Sequence, residues 1–137
     1  MANFGPIRLL VATLGIVIAT PVQAAGRHCA WSAKTSELRE LKANSWRVDD
    51  GERRDQLALS LSDCLSVSNP IVRDELAFAA LQKWMRSDEL SRPAMLRLYA
   101  RLSSDLTARD RTGFGRPFAA LALAEIARAD RRSPFLD

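Results

Sequence analysis

Histidine is almost missing from this chain. His28 stands alone in 137 residues. A Ser-His-Asp triad would therefore have to use His28, which lies on the N-terminal approach to the folded part. No His/Cys/Asp/Glu group has metal-ligand spacing, so no metal site is expected. There is no P-loop and no dinucleotide fingerprint, and Gly113-Phe114-Gly115 is only a pair of glycines in a connector. No cofactor and no catalytic residue is expected. Period-two alternation and an Asn-Gly turn between alternating apolar runs are both absent, which argues against a β fold.

Lysine is also scarce. Lys34, Lys42 and Lys83 are the only lysines, so seventeen of the 20 basic residues are arginine. They alternate with Asp and Glu along the chain instead of clustering. A nucleic-acid surface needs a clustered basic patch, so no nucleic-acid partner is expected. Solvated helix faces account for the mildly basic balance of +4.

The longest apolar run is near the start. Arg8 is followed by Leu9 to Ala19, Pro21 breaks the run, and Val22-Gln23-Ala24 supplies modest residues before a cut ahead of Ala25. The run falls short of the roughly 20 residues that span a bilayer. Residues 1–24 therefore read as a signal peptide. The expectation is an exported chain, periplasmic or secreted, with no stable membrane anchor. Residues 25–137 would form one small helical-repeat domain.

Apolar residues elsewhere recur at helical spacing. A first helix is expected over about 33–45, with Leu38 and Leu41 on one face. Asp49 and Glu52 have capping-box spacing, so a second helix starts there with the stripe Leu57, Leu61, Cys64 and Leu65. Asp63, at its end, reads as solvent-facing. Ser68-Asn69-Pro70 caps a third helix running to about Ser87. That helix is apolar on almost every side, which calls for neighbours on several sides. Ser91 and Pro93 start a fourth helix carrying Met95, Leu98, Leu102 and Leu106. Pro117 starts a fifth carrying Phe118, Leu121, Ala122 and Ile126.

The letters FAAL occur at 78–81 and again at 118–121, and Leu57/Leu61 match Leu98/Leu102 at a similar offset. Helix pairs repeating at about 40 residues fall in the HEAT/armadillo range. The fold expected is all-α: stacked helical hairpins of a HEAT-like α-solenoid, with about five helices. An ordinary five-helix bundle with a central third helix is the plainer alternative.

From Asp63 to Leu136 the sequence resembles an uncharacterised bacterial family catalogued as domain of unknown function 2785. The resembling pieces are DCLSVSNPIVRDELAFAALQKWMRSDEL, GFGRPFAALALAEIARADR and the ending SPFL. Pro70, Arg73-Asp74, Trp84 and Arg116-Pro117-Phe118 carry most of it. The resemblance implies a helical, repeat-like fold, no established activity and no catalytic residues to carry over. Members of that family usually continue for roughly as many residues again. The chain would then be similar to the N-terminal part only, truncated at its C-terminal end, and Phe135-Leu136 would lose their packing partners. Self-association through that open end is then expected.

Arg73, Asp74, Asp110 and Arg116 form a candidate polar face, with Glu125 and Asp130 also charged and notable. The functional reading is paired carboxylates or an arginine clamp. The bland reading is that Arg73 and Asp74 tie neighbouring repeats while Asp110 and Arg116 order the turn into the fifth helix. Cys29 precedes helix one and Cys64 closes helix two. In an antiparallel hairpin they can pair as a disulfide, or Cys64 can be a buried thiol. Three functions stay open. The first is an exported module binding an unidentified protein or peptide. The second is the N-terminal part of an extracytoplasmic enzyme, a hydrolase for example. The third is an inactive fragment.

Overall fold

A computed structural model describes residues 28–136, and the signal peptide expected over 1–24 lies outside them. The described chain is all-helical. A 3-10 turn over Ala30–Ala33 leads into α1 (Thr35–Ala43). Next comes α2 (Gly51–Ser62), which tightens into a second 3-10 turn over Asp63–Ser66. A π-helical segment, Ile71–Phe78, runs without a break into α3 (Ala79–Arg86). Then follow α4 (Arg92–Thr107) and α5 (Gly115–Arg132).

Local chemistry explains most of the starts. Asp50, not Asp49, caps α2: its carboxylate accepts from the amides of Glu52 at 2.9 Å and Arg53 at 3.1 Å. Asp49 pairs instead with Arg47. The expected capping box was therefore one residue early. Asn69 accepts from the Ile71 amide at 3.0 Å, and Pro70 sits where its missing N–H costs nothing. Ser91 caps α4 through the Ala94 amide, and Asp55 of α2 holds Ser91 in place by accepting from its amide and its hydroxyl. In the π segment the Ala79 amide reaches back five residues to the Asp74 carbonyl. Wide turns of this kind are rare and recur at special sites. Here the segment buries Val72, Arg73, Leu76 and Ala77 together.

No glycine ends α1, yet Ser45 and Trp46 both take positive φ, 55° and 63°. Each such non-glycine residue costs on the order of 1 kcal/mol or more and persists only where its surroundings hold it. Two bonds hold Trp46: its amide donates to the Leu41 carbonyl, and its carbonyl accepts the Trp84 indole N–H at 2.9 Å. The two indoles also meet edge to face, with ring centroids 6.5 Å apart. Trp84 is the largest of the fully buried side chains.

The helices pack α2 along α4, α3 along α5 and α4 against α5, and the π segment touches α1 and α2. The third helical stretch thus has neighbours on several sides, as its composition requires. A disulfide joins Cys29 to Cys64, with Cα atoms 4.7 Å apart, and both cysteines are buried. The Trp31 indole donates to the Ser60 hydroxyl beside it. Together these fasten the first described residues to the end of α2.

Some expected core positions lie elsewhere. Leu57 is only partly buried, and Ala58 takes the interior place on α2. Leu106 and Leu121 are 40% and 49% exposed. On α5 the inner side is drawn by Ala119, Ala122, Glu125, Ile126 and Ala129, and Leu121 falls outside it. The two FAAL segments do meet, with Phe78 and Phe118 edge to face at 5.7 Å. Their leucines do opposite things, however. Leu81 is fully buried, while its counterpart Leu121 faces solvent. The four matched letters are therefore not a repeat of environment.

Phe135 and Leu136 do not lack partners. Both amides donate to Asp130 Oδ1 at 2.7 Å, the Phe135 carbonyl accepts from Arg92, and both side chains pack partly against the core.

Candidate functional site

Arg73 enters the interior from the π segment and is 6% exposed. A buried guanidinium needs every edge satisfied. Its Nε and Nη2 fork onto Asp74 at 2.6 and 3.1 Å. Its Nη1 donates to the carbonyls of Val67 and Ser68, just before the helix starts. Its Cζ lies over the Phe114 ring, 3.8 Å from the centroid, and over the Phe118 ring at 4.9 Å. Stacking of this sort stabilises a desolvated arginine. Arg73 therefore pins the loop before α5 onto the start of the third helical stretch.

Asp110 and Arg116 lie on either side of Phe114, in the α4–α5 connection. Asp110 Oδ1 accepts from the Thr112 and Gly113 amides, and Oδ2 accepts from the Arg116 amide at 3.0 Å. It is the missing cap of α5, since Phe114 at the N-cap has no side chain for the task. The backbone donors, that of Arg116 foremost, hold the Asp110 carboxyl below its ordinary value. Gly113 takes φ 78° in this turn, a conformation that suits glycine. The Arg116 guanidinium points the other way, donating from Nε and Nη2 to the Ala108 carbonyl that ends α4. Thr112 ties the loop to the Ser66 carbonyl at 2.7 Å. The four candidate residues thus gather at one end of the molecule, on both sides of Phe114. Each polar group is spent on a helix end or a neighbour.

Sequence reasoning missed the other arginine ties. Arg101 on α4 donates to the Leu59 carbonyl at 2.7 Å and pairs with Asp63 at 3.1 Å. Asp63 is therefore an ion-pair partner between α2 and α4, not the solvent-facing residue expected. Arg132 on α5 donates to the carbonyls of Met85 and Arg86, closing the end of α3. Arg54 does the same for Val48 and Glu89. Glu125 is 8% exposed and accepts from Arg86 on two oxygens and from Gln82. Arg86 holds the Glu125 carboxyl below its ordinary value, with Gln82 assisting. Arginine suits these sites because its planar fork reaches carbonyls and carboxylates with several donors at once. Most of the tied groups stand far apart in sequence, and the only local signal is the excess of arginine over lysine.

The shifts have a consequence for stability. Asp110, Glu125 and Asp130 are all lowered in the folded protein, by backbone amides at Asp110 and Asp130 and by Arg86 at Glu125. A lowered carboxylate contributes stability that is complete above its ordinary value, 3.8 for Asp and 4.5 for Glu. The contribution is lost as pH falls through the folded value. The melting temperature is therefore expected to fall as pH drops from about 5 to about 3. Glu125→Gln should lower the melt at neutral pH and make that fall shallower. An unchanged acid slope in the variant would remove Glu125 from the account.

Beside this network lies an open cleft of about 790 Å³ between the end of α2, the end of α4 and the 108–112 loop. Its floor is Leu65, Leu102 and Ala119. Asp63, Ser104, Asp105, Arg109 and Arg111 stand along its walls. Among the described residues, no group of three or more His, Cys, Asp or Glu could hold a metal ion. His28 is exposed at the first described position and is not among the residues that line this cleft. An apolar floor between walls of both charge signs can hold a peptide segment.

No family model, no curated protein and no solved structure matches the chain.

Proposed function

We propose that the chain is an exported helical-repeat interaction module, built as HEAT-like stacked hairpins, that binds a protein or peptide segment in the cleft beside α4. It stands in this reading as similar to the N-terminal part of the family of unknown function named above. The observation that carries the proposal is how the polar residues are spent. Arg73, Asp74, Asp110 and Arg116 bond to helix ends and to each other, while the cleft keeps an apolar floor and exposed arginines at its rim. Packing of α2 along α4 and of α3 along α5 is what two stacked hairpins would give. Export is supported by a buried disulfide in a chain of only two cysteines, because such bridges persist in oxidising compartments.

The test is a selection from a random peptide library displayed on phage, using the purified oxidised protein. Enriched peptides should share a sequence class and should lose binding to Ser104→Trp, which fills the cleft from an exposed wall position. Enrichment that ignores Ser104→Trp, or no enrichment at all, would overturn the proposal. A thermal melt of the variant confirms that folding is intact.

A further inference from the structure

The last two helices carry an apolar surface that no other described residue covers. Leu96, Tyr99 and Leu106 on α4 are 40%, 43% and 40% exposed. At 100° per residue they fall on the side of α4 opposite Arg101, the residue that ties α4 to α2. On α5, Ala120, Ala124 and Ala127 are exposed. They fall on the side opposite Phe118, which meets Phe78 of the π segment, and Glu125, which meets α3. The two helices pack against each other, so both outward sides belong to one end of the molecule. A ridge of large apolar side chains runs there beside a row of alanines. Scattered exposed apolar residues need no explanation, but a joined patch does.

The charges around this patch are of one sign. Arg92, Arg128 and Arg131 are exposed on these outward sides, while Arg97 turns toward the Arg101 side. The acidic residues of these helices are turned elsewhere. Asp105 lines the cleft, Glu125 is buried against Arg86, and Asp130 holds the C-terminal amides. The geometry points to docking of an amphipathic helix from another protein, with an apolar stripe and acidic residues on its flanks. The alanine row lets a helix backbone approach closely, and the Leu96–Tyr99–Leu106 ridge fills the groove of that helix. The arginine rim selects acidic flanks and speeds encounter. A second copy of this chain fits poorly, because a two-fold contact would set two arginine rims against each other. A lipid surface would favour protruding bulky side chains, not a row of alanines.

The inference is independent of the cleft, and its test leaves the cleft untouched. Two labelled model helices carry the same leucine stripe, one flanked by glutamate and its twin by lysine. The acidic helix should bind the oxidised protein in a fluorescence polarisation titration. Binding should weaken with added salt, and the basic twin should bind at least about tenfold more weakly. Ala124→Glu, an exposed change that keeps the fold, should reduce the acidic helix's affinity by at least about tenfold. Equal binding of the twins, or none by either, would overturn the inference. So would a dimer in sedimentation that Ala124→Glu abolishes, which would assign the face to a second copy. Flotation with phosphatidylglycerol vesicles, lost in the same variant, would assign it to lipid and overturn it equally.

Discussion

Trp84→Ala is expected to destabilise the fold by about 3–5 kcal/mol, a large fraction of the stability of a small domain. Three losses add up at this position. The side chain is fully buried in the core, so its removal opens a cavity there or forces the neighbouring side chains to shift. The edge-to-face contact with Trp46 goes. The Trp46 carbonyl loses its donor while Trp46 is still held at positive φ. Trp84→Phe separates these terms. It keeps an aromatic ring and removes the N–H, and it should cost about 1–3 kcal/mol. Urea unfolding followed by circular dichroism measures both. A Trp84→Ala midpoint close to the parent's would mean that Trp84 does not anchor the core.

Removing the disulfide by the double change Cys29→Ala/Cys64→Ala is expected to cost about 3–4 kcal/mol on the chain-entropy relation. The bridge spans 35 residues, enclosing α1 and α2. Without it the unfolded chain regains loop freedom, and the 3-10 turn at Ala30–Ala33 is held mainly by the Trp31–Ser60 bond. Because both cysteines are nearly inaccessible, reductant should act on the folded protein only through unfolding. The melt of the double variant should match that of the parent after full reduction. A variant as stable as the oxidised parent would show that α1 docks without help from the bridge.

What could be read in the sequence was what is local. Asn69-Pro70 and Ser91-Pro93 mark helix starts because the cap and the proline act within a single turn. Five helical stretches follow from such marks and from apolar spacing. The capping box missed by one residue because Asp49 and Asp50 are both suited to the task, and only packing chose between them. Leu106 and Leu121 fit the apolar stripe by spacing, yet they lie outside, because the side of a helix that faces in is set by its neighbours. The arginine ties were illegible for the same reason. Arg101 reaches Leu59 and Arg132 reaches Met85 across 42 and 47 residues. Nothing within a turn of either arginine announces a carbonyl that distant. Arg73 and Asp110 stood out in the sequence as charged residues near helix starts, and the structure shows what each bonds to. Their partners turned out to be the ends of helices.

The central claim is that the buried cation at Arg73 serves the fold, and Arg73→Lys tests it most directly. Lysine keeps the charge but cannot fork onto Asp74, reach the Val67 and Ser68 carbonyls and sit over the Phe114 and Phe118 rings all at once. Urea unfolding should show Arg73→Lys less stable than the parent by about 1–3 kcal/mol. A variant with an unchanged unfolding midpoint would contradict the account, and would return Arg73 to the residues whose purpose lies outside the protein.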